Sequence, residues 1–188
     1  MIKIITEPDG GLLFGQSKWW GQPDMPEELE YPEVTVVDED GEEYRDPLTF
    51  ICQIRLEEIA TLDPEGLLPH EGMLFFFAAL DYFLGDIDSP SYPGMGAWQE
   101  KYFKVLYSAK CENIHTHSIV YDDGTPVCLP GEAIRFAPCG KNDDGHRLLG
   151  EPYIEEVREE FPGMISLLQV EEEDRWGLTF HDCGVLNF

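Results

Sequence analysis

Apolar residues in this chain come in short runs, too short for helices and well suited to strands. "LTFICQI" (48–54) and "GMLFFF" (72–77) are continuous apolar runs and predict strands covered on both faces. "YFKVLYS" (102–108) alternates, which predicts a strand with one wet face. "EVTVVDEDGEEY" (33–44) predicts a hairpin turning at Asp40-Gly41, and "SIVYDDGTPVCL" (118–129) a second one around Asp123-Gly124. "GEAIRFAP" (131–138) adds a short strand, and "RLEEIATL" (55–62) one or two helical turns. The best helix is "PYIEEVREEF" (152–161), where Ile154, Val157 and Phe161 fall on one face behind Pro152. Residues 85–100, rich in Gly and Pro, predict a loop.

Three short segments recur in the same order. "WGQPDMPEE" (20–28) matches "LGEPYIEEV" (149–157), "FICQIRLEE" (50–58) matches "SLLQVEEED" (166–174), and "HEGMLFFF" (70–77) matches "HDCGVLNF" (181–188) with one extra residue before the glycine. Ordered matches of this kind predict two copies of one unit: a Gly-x-Pro turn, a buried strand with an embedded Gln, a His-acid-Gly turn and a second buried strand. The expected fold class is α+β, a β-rich single domain over 1–188 built from two degenerate, internally duplicated halves. The halves fall at about 17–80 and 146–188, with a β-rich connecting segment at 81–145.

Composition narrows the function classes. The chain of 188 residues carries 38 acidic and 12 basic residues, a net charge of −26. Such a surface repels phosphate backbones, so nucleic acid is not an expected partner, whereas a basic protein is. The most apolar run, residues 72–80, is far too short to span a bilayer, and the N-terminus lacks the pattern of a secretory signal, so no membrane partner is expected. Five cysteines, an odd number without CxxC spacing, predict free thiols and a cytoplasmic location.

Few residues offer chemistry. Gln53 and Gln169 stand at matching places in two apolar strands, where each amide must find partners. They are read either as core ties to neighbouring backbone or, with His146, Arg147, His181 and Asp182, as the lining of a cleft between the halves. His181 and Asp182 echo His70 and Glu71 before a glycine, so turn residues are the expected reading. Adjacent side chains on an extended chain also point to opposite faces, so His181 and Asp182 do not face one another. His115 and His117 share one strand face near Cys111 and form a weak metal candidate lacking further ligands at matched spacing. Trp19 and Trp20, beside Gly and Pro, are candidate partner-binding residues. No phosphate-binding loop, nucleophile elbow or HExxH motif occurs, no catalytic residues are assigned, and no cofactor is expected.

"SKWWGQPDMPEELEYP" (17–32), "DPLTFICQIRLEEI" (46–59) and "LLPHEGMLFFF" (67–77), followed by "HRLLGEP" (146–152), "ISLLQVEEED" (165–174) and "WGLTFHDCGVLNF" (176–188), together resemble the YwqG-like family of bacterial proteins. Trp20, Tyr31 and Arg55 replace that family's usual glycine, tryptophan and asparagine. The resemblance implies an α+β fold with internal duplication, and it supplies no catalytic residues. The expected function is an intracellular, non-enzymatic protein-interaction module with an acidic surface, a regulator or toxin-neutralising protein. The alternative is a small-molecule-binding protein or enzyme using the His/Asp/Gln-lined cleft.

Overall fold

The computed structural model describes residues 1–8, 11, 13–37, 40–80, 93, 96–120, 122–180 and 184–188. In chain order the strands are β1 (Ile2–Pro8), β2 (Lys18–Trp19), β3 (Asp24–Pro26), β4 (Glu33–Val37), β5 (Glu43–Pro47), β6 (Thr49–Arg55), β7 (Met73–Ala78), β8 (Phe103–Ser108), β9 (Ile114–Thr116), β10 (Glu132–Pro138), β11 (Arg147–Gly150), β12 (Ser166–Glu171) and β13 (Val185–Asn187). The helices are the single turn α1 (Leu56–Ile59) and α2 (Glu155–Glu160). Nine strands form one curled antiparallel sheet in the order β13-β12-β11-β1-β10-β2-β6-β7-β8. Two small ribbons, β3-β9 and β4-β5, complete the β-rich domain. Among the described residues no helix is long and apolar enough to cross a membrane.

The continuous apolar runs are explained by cover on both faces. Along β7, Leu74, Phe76 and Ala78 pack into a large core with Ile2, Trp19, Ile51 and Leu168. The alternate residues Met73, Phe75 and Phe77 enter a second core with Met25, Val34 and Val36, under the β4-β5 hairpin. A strand buried on both sides has no polar position to spare. The expected turn at Asp40-Gly41 is present, with Gly41 at φ +82.

The sheet's middle is a pair of seven-residue strands, β1 and β10. Ile2 lies opposite Pro138 and Pro8 opposite Glu132. β1 also pairs with β11, and β10 with β2, so each long strand separates its partner from one arm of the sheet. One arm is β2-β6-β7 and the other β11-β12-β13.

The second expected hairpin is present in short form: Val120 and Pro126 make an antiparallel bridge, the Val127 N–H donates to the Ile119 carbonyl at 2.9 Å, and Gly124 turns at φ +84. One expectation needs correction. The helix begins at Glu155 rather than Pro152 and buries none of its residues, so its apolar face is not packed into the core. The loop expected at 85–100 lies largely outside the described residues.

Candidate functional site

Each arm of the sheet carries one fully buried glutamine, and each glutamine organises a cation. In the first arm, β2 pairs with β6 so that Lys18 lies opposite Gln53. The Gln53 side-chain carbonyl accepts the backbone N–H of Asp24 at 2.8 Å, and its amide donates to the Gln16 carbonyl at 2.8 Å and to Asp24 Oδ2 at 3.1 Å. Asp24 Oδ2 also accepts Lys18 Nζ at 2.7 Å and the Gly15 N–H at 2.9 Å, while Thr116 Oγ1 donates to Oδ1 at 2.8 Å. The Lys18–Asp24 pair is therefore buried and its carboxylate saturated with donors.

In the second arm, β11 pairs with β12 so that Arg147 lies opposite Gln169. The Gln169 side-chain carbonyl accepts the N–H of Tyr153 at 2.9 Å, and its amide donates to Glu171 Oε1 at 3.0 Å. Arg147 is 3% exposed, yet no carboxylate pairs with it among the described residues. Its Nη1 donates to the carbonyls of Lys141 and Asp143 at 3.2 and 3.3 Å, and its guanidinium lies 5.4 Å from the centre of the Tyr153 ring. Nε and Nη2 are buried without a hydrogen-bond partner among the described residues.

His146 precedes Arg147 and is buried in the join. Its Nδ1 accepts the Glu171 N–H at 3.0 Å, and its ring stacks on Trp19 at 4.6 Å and Trp176 at 5.4 Å. Burial, then the nearby Arg175 charge, lowers its pKa to about 4. The imidazole is thus a neutral acceptor near neutrality, already occupied by backbone. Ser17 does the same work in the other arm, where its Oγ accepts the Arg55 N–H at 2.8 Å.

The sequence-derived candidates are placed as follows. Gln53, Gln169, His146 and Arg147 are all buried in the sheet's body and bonded mainly to neighbouring backbone. Trp19 and Trp20 are 0% and 2% exposed, so neither presents a surface to a partner, which corrects that expectation. Both indoles belong to the large core, packed edge to face on one another, with Trp19 stacked on His146 and both rings against Trp176. His181 and Asp182 lie outside the described residues, as does Cys183. Their echo, His70, is tied to its own turn: Nε2 is 3.1 Å from the Asp63 carbonyl oxygen. On β9 and just after it, His115 is exposed and His117 stacks on Tyr31 at 4.7 Å; burial, then His115, lowers the His117 pKa. Cys111 packs against the second core instead of joining the histidines. Among the described residues no cluster of three or more His, Cys, Asp or Glu could hold a metal.

Cys52, Cys111, Cys128 and Cys139 are free thiols, and burial is the leading cause that raises the pKa of each. Raised thiols are poor nucleophiles near neutrality.

Sequence reasoning missed Glu132, Arg175 and Trp176. Glu132 Oε1 accepts Arg175 Nη1 at 3.0 Å and Trp176 Nε1 at 2.9 Å, and its other oxygen lies 2.8 Å from Arg175 Nη2. They line an open cavity of about 400 Å³ with Pro8, Leu129 and Pro130. The available signal was a lone glutamate opening an apolar strand, which needs a distant cation when buried. Asp24 was missed for a similar reason: it sits in a turn-like "QPDMP".

The model of the DUF1963 family, described as a domain of unknown function, matches residues 17–136, well over half of the chain. No curated protein matches the chain. The matched span begins just before β2 and ends within β10, leaving the second arm beyond it.

Proposed function

Since the chain belongs to the DUF1963 family, a domain of unknown function, we propose its role from its physical surface: an intracellular, non-enzymatic interaction module that captures a basic protein. The observation that carries the reading is the disposition of charge. Carboxylates outnumber cations 38 to 12. Half of those cations, namely Lys18, Arg45, Arg55, Arg135, Lys141 and Arg175, are already paired with the protein's own carboxylates. The field left over is negative, and such a field speeds encounter with a positive partner. Free thiols fit a reducing compartment. The expected result is that purified protein retains Lys/Arg-rich partners from native lysate at low salt and releases them at high salt. Retention that ignores ionic strength, or partners without basic character, would sink the reading.

The competing reading is a ligand in a cleft. The cavity beside Glu132 favours it, but the charged groups there, Glu132 and Arg175, are bonded to each other. A ligand would first have to part them, so the interaction reading stands ahead.

The same proposal extends to descent. We read the chain as a YwqG-like protein of two duplicated units, β1-β2-β6-β7 and β10-β11-β12-β13. This differs from halves at 17–80 and 146–188 by adding one long strand to each. Support comes from paired details. Trp20 and Leu149 are both non-glycine residues with positive φ, 55° and 57°. Gln53 and Gln169 grip the N–H of the residue four positions after each. Ser17 and His146 accept the N–H two residues beyond each glutamine. An experimental structure in which superposed units fail to bring Gln53 onto Gln169 and Gly72 onto Gly184 would refute the duplication.

A further inference from the structure

Among the described residues, four of the ten large apolar side chains that stand exposed fall within thirteen residues: Tyr153, Phe161, Met164 and Ile165. They flank α2, a helix with no buried residue. Six residues of helix are too few to persist without support. Support comes from behind. Gln169 holds the Tyr153 N–H, Arg147 lies under the Tyr153 ring, and the Phe161 N–H closes on the Val157 carbonyl at 2.9 Å. The apolar surface is therefore pre-shaped, which lowers the ordering cost of binding. Apolar side chains gathered on an otherwise charged surface mark contact sites.

The rim selects the partner. Glu155, Glu156, Glu159 and Glu160 are exposed, and none forms an ion pair among the described residues. Arg158, the one cation of the helix, folds back to donate to the carbonyls of Pro152 and Tyr153 at 2.7 and 2.6 Å. A second copy of this chain would bring another net charge of −26 against these glutamates, so self-association is opposed. We propose that Tyr153, α2 and the turn through Ile165 form a docking surface for a basic segment of a partner protein carrying large apolar side chains on one face. The proposal rests on the interaction reading above and assigns it a place.

The test uses the full chain and two labelled peptides in fluorescence anisotropy: one of Leu and Lys with Leu at helical i, i+3, i+4 spacing, the other with every Leu replaced by Ser. The expected result is about tenfold or tighter binding of the Leu/Lys peptide. That preference should disappear in Met164→Ser/Ile165→Ser and shrink in Met164→Glu alone, a change at a side chain 60% exposed. Circular dichroism checks that both variants are folded. The variant E155Q/E156Q/E159Q/E160Q should weaken both peptides at low salt. Equal binding of the two peptides, unchanged in the Met164 and Ile165 variants, would overturn the docking surface and leave the acidic reading intact. Absence of binding by either peptide at low salt would overturn the acidic reading itself. Concentration-dependent dimers in sedimentation, lost in the Met164→Ser/Ile165→Ser variant, would overturn the assigned occupant in favour of a second copy.

Discussion

The two glutamine-centred clusters solve one backbone problem and then diverge. Gln53 and Gln169 each accept the N–H of a residue that follows a Gly-x-Pro turn. In the first arm that residue is Asp24, which turns inward and closes an ion pair with Lys18. In the second it is Tyr153, half exposed, which covers Arg147 with its ring, and the guanidinium has no carboxylate among the described residues. The first arm spends its side chains on its own interior; the second directs one to the surface. The lesson is that a shared hydrogen-bonding frame leaves the following side chain free to vary, and that residue sets whether the site is sealed or presented.

The largest expected effect breaks the sealed arm. Asp24→Ala would leave Lys18 buried without its counter-charge, the Gly15 N–H and Thr116 hydroxyl without this acceptor, and the Gln53 amide with the Gln16 carbonyl alone. Removing one partner of a buried pair costs about 3–5 kcal/mol. Tyr153→Ala, at the matching place, should cost about 1 kcal/mol, because its N–H remains for Gln169 to accept. Urea unfolding of the two variants measures the difference; equal losses would show that the arms are not organised as described.

The next effect depends on pH and separates His146 from Ser17. The pKa of His146 is lowered from its ordinary 6.5 to about 4 in the folded protein. The unfolded chain therefore takes up a proton first as pH falls. Stability from this group is fully present above about pH 6.5, is lost between about 6.5 and 4, and is flat below; the limit is about 3 kcal/mol. His117, lowered by burial and then by His115, acts in the same direction as pH falls. His146→Ser copies the acceptor used in the other arm and removes the titration. The variant should lose stability at pH 7 through lost stacking on Trp19 and Trp176, but its stability between pH 6.5 and 4 should fall less than wild type's. Parallel pH curves for the two proteins would refute the buried, neutral imidazole.

A smaller contrast concerns the glycines that open the strands beyond each glutamine. Gly72 has φ +95, and a Cβ there would stand 2.3 Å from the Ser108 carbonyl oxygen. Gly184 would also place a Cβ 2.3 Å from a carbonyl oxygen, that of Phe180, but without a positive φ. Gly72→Ala combines a clash with left-handed strain and should cost about 2–3 kcal/mol; Gly184→Ala should cost less. Thermal midpoints of the two variants rank them.

Much of the sheet was legible because its physics is local. Residues 72–77 read as a buried strand from their continuous apolar run, and Asp40-Gly41 as a turn from its residue types. Gln53 and Gln169 stood out because an amide in an apolar run needs partners nearby. β1 was not legible: Lys3, Thr6 and Glu7 interrupt its apolar pattern, and its place beside β10 and β11 is set by pairing with residues far along the chain. The Trp19-Trp20 pair misled for the same reason. Gly and Pro beside it suggested a surface loop, whereas both indoles pack into the large core with residues far along the chain, Leu148 and Trp176 among them. Asp24, Glu132 and Arg175 were hidden because a buried charge is recognised by its partner, and Asp24 meets Thr116 across ninety-two positions of sequence. The helix around Val157 showed the right spacing, but spacing predicts an apolar face and not what covers it.

The smallest expected effect is the sharpest test of the comparison. Lys18 and Arg147 stand opposite matching glutamines, and both are buried. If burial alone decided their worth, replacing either by methionine would cost the same. Lys18→Met leaves the Asp24 carboxylate in the interior without its cation, so about 3 kcal/mol should be lost even though Gln53, Gly15 and Thr116 still donate to it. Arg147→Met strands only the carbonyls of Lys141 and Asp143, which lie on an exposed loop where water can replace the guanidinium. It also removes a buried cation whose Nε and Nη2 have no partner among the described residues, a change that is favourable in itself. The two contributions nearly offset, and the expected loss is about 1 kcal/mol or less. What should change is the surface: with the guanidinium gone from under its ring, Tyr153 loses its fixed pose, and affinity for the Leu/Lys peptide should fall by about two- to fivefold while stability barely moves. A large stability loss in Arg147→Met with unchanged peptide binding would reverse the comparison, making Arg147 a structural equivalent of Lys18 and removing its part in shaping the exposed face.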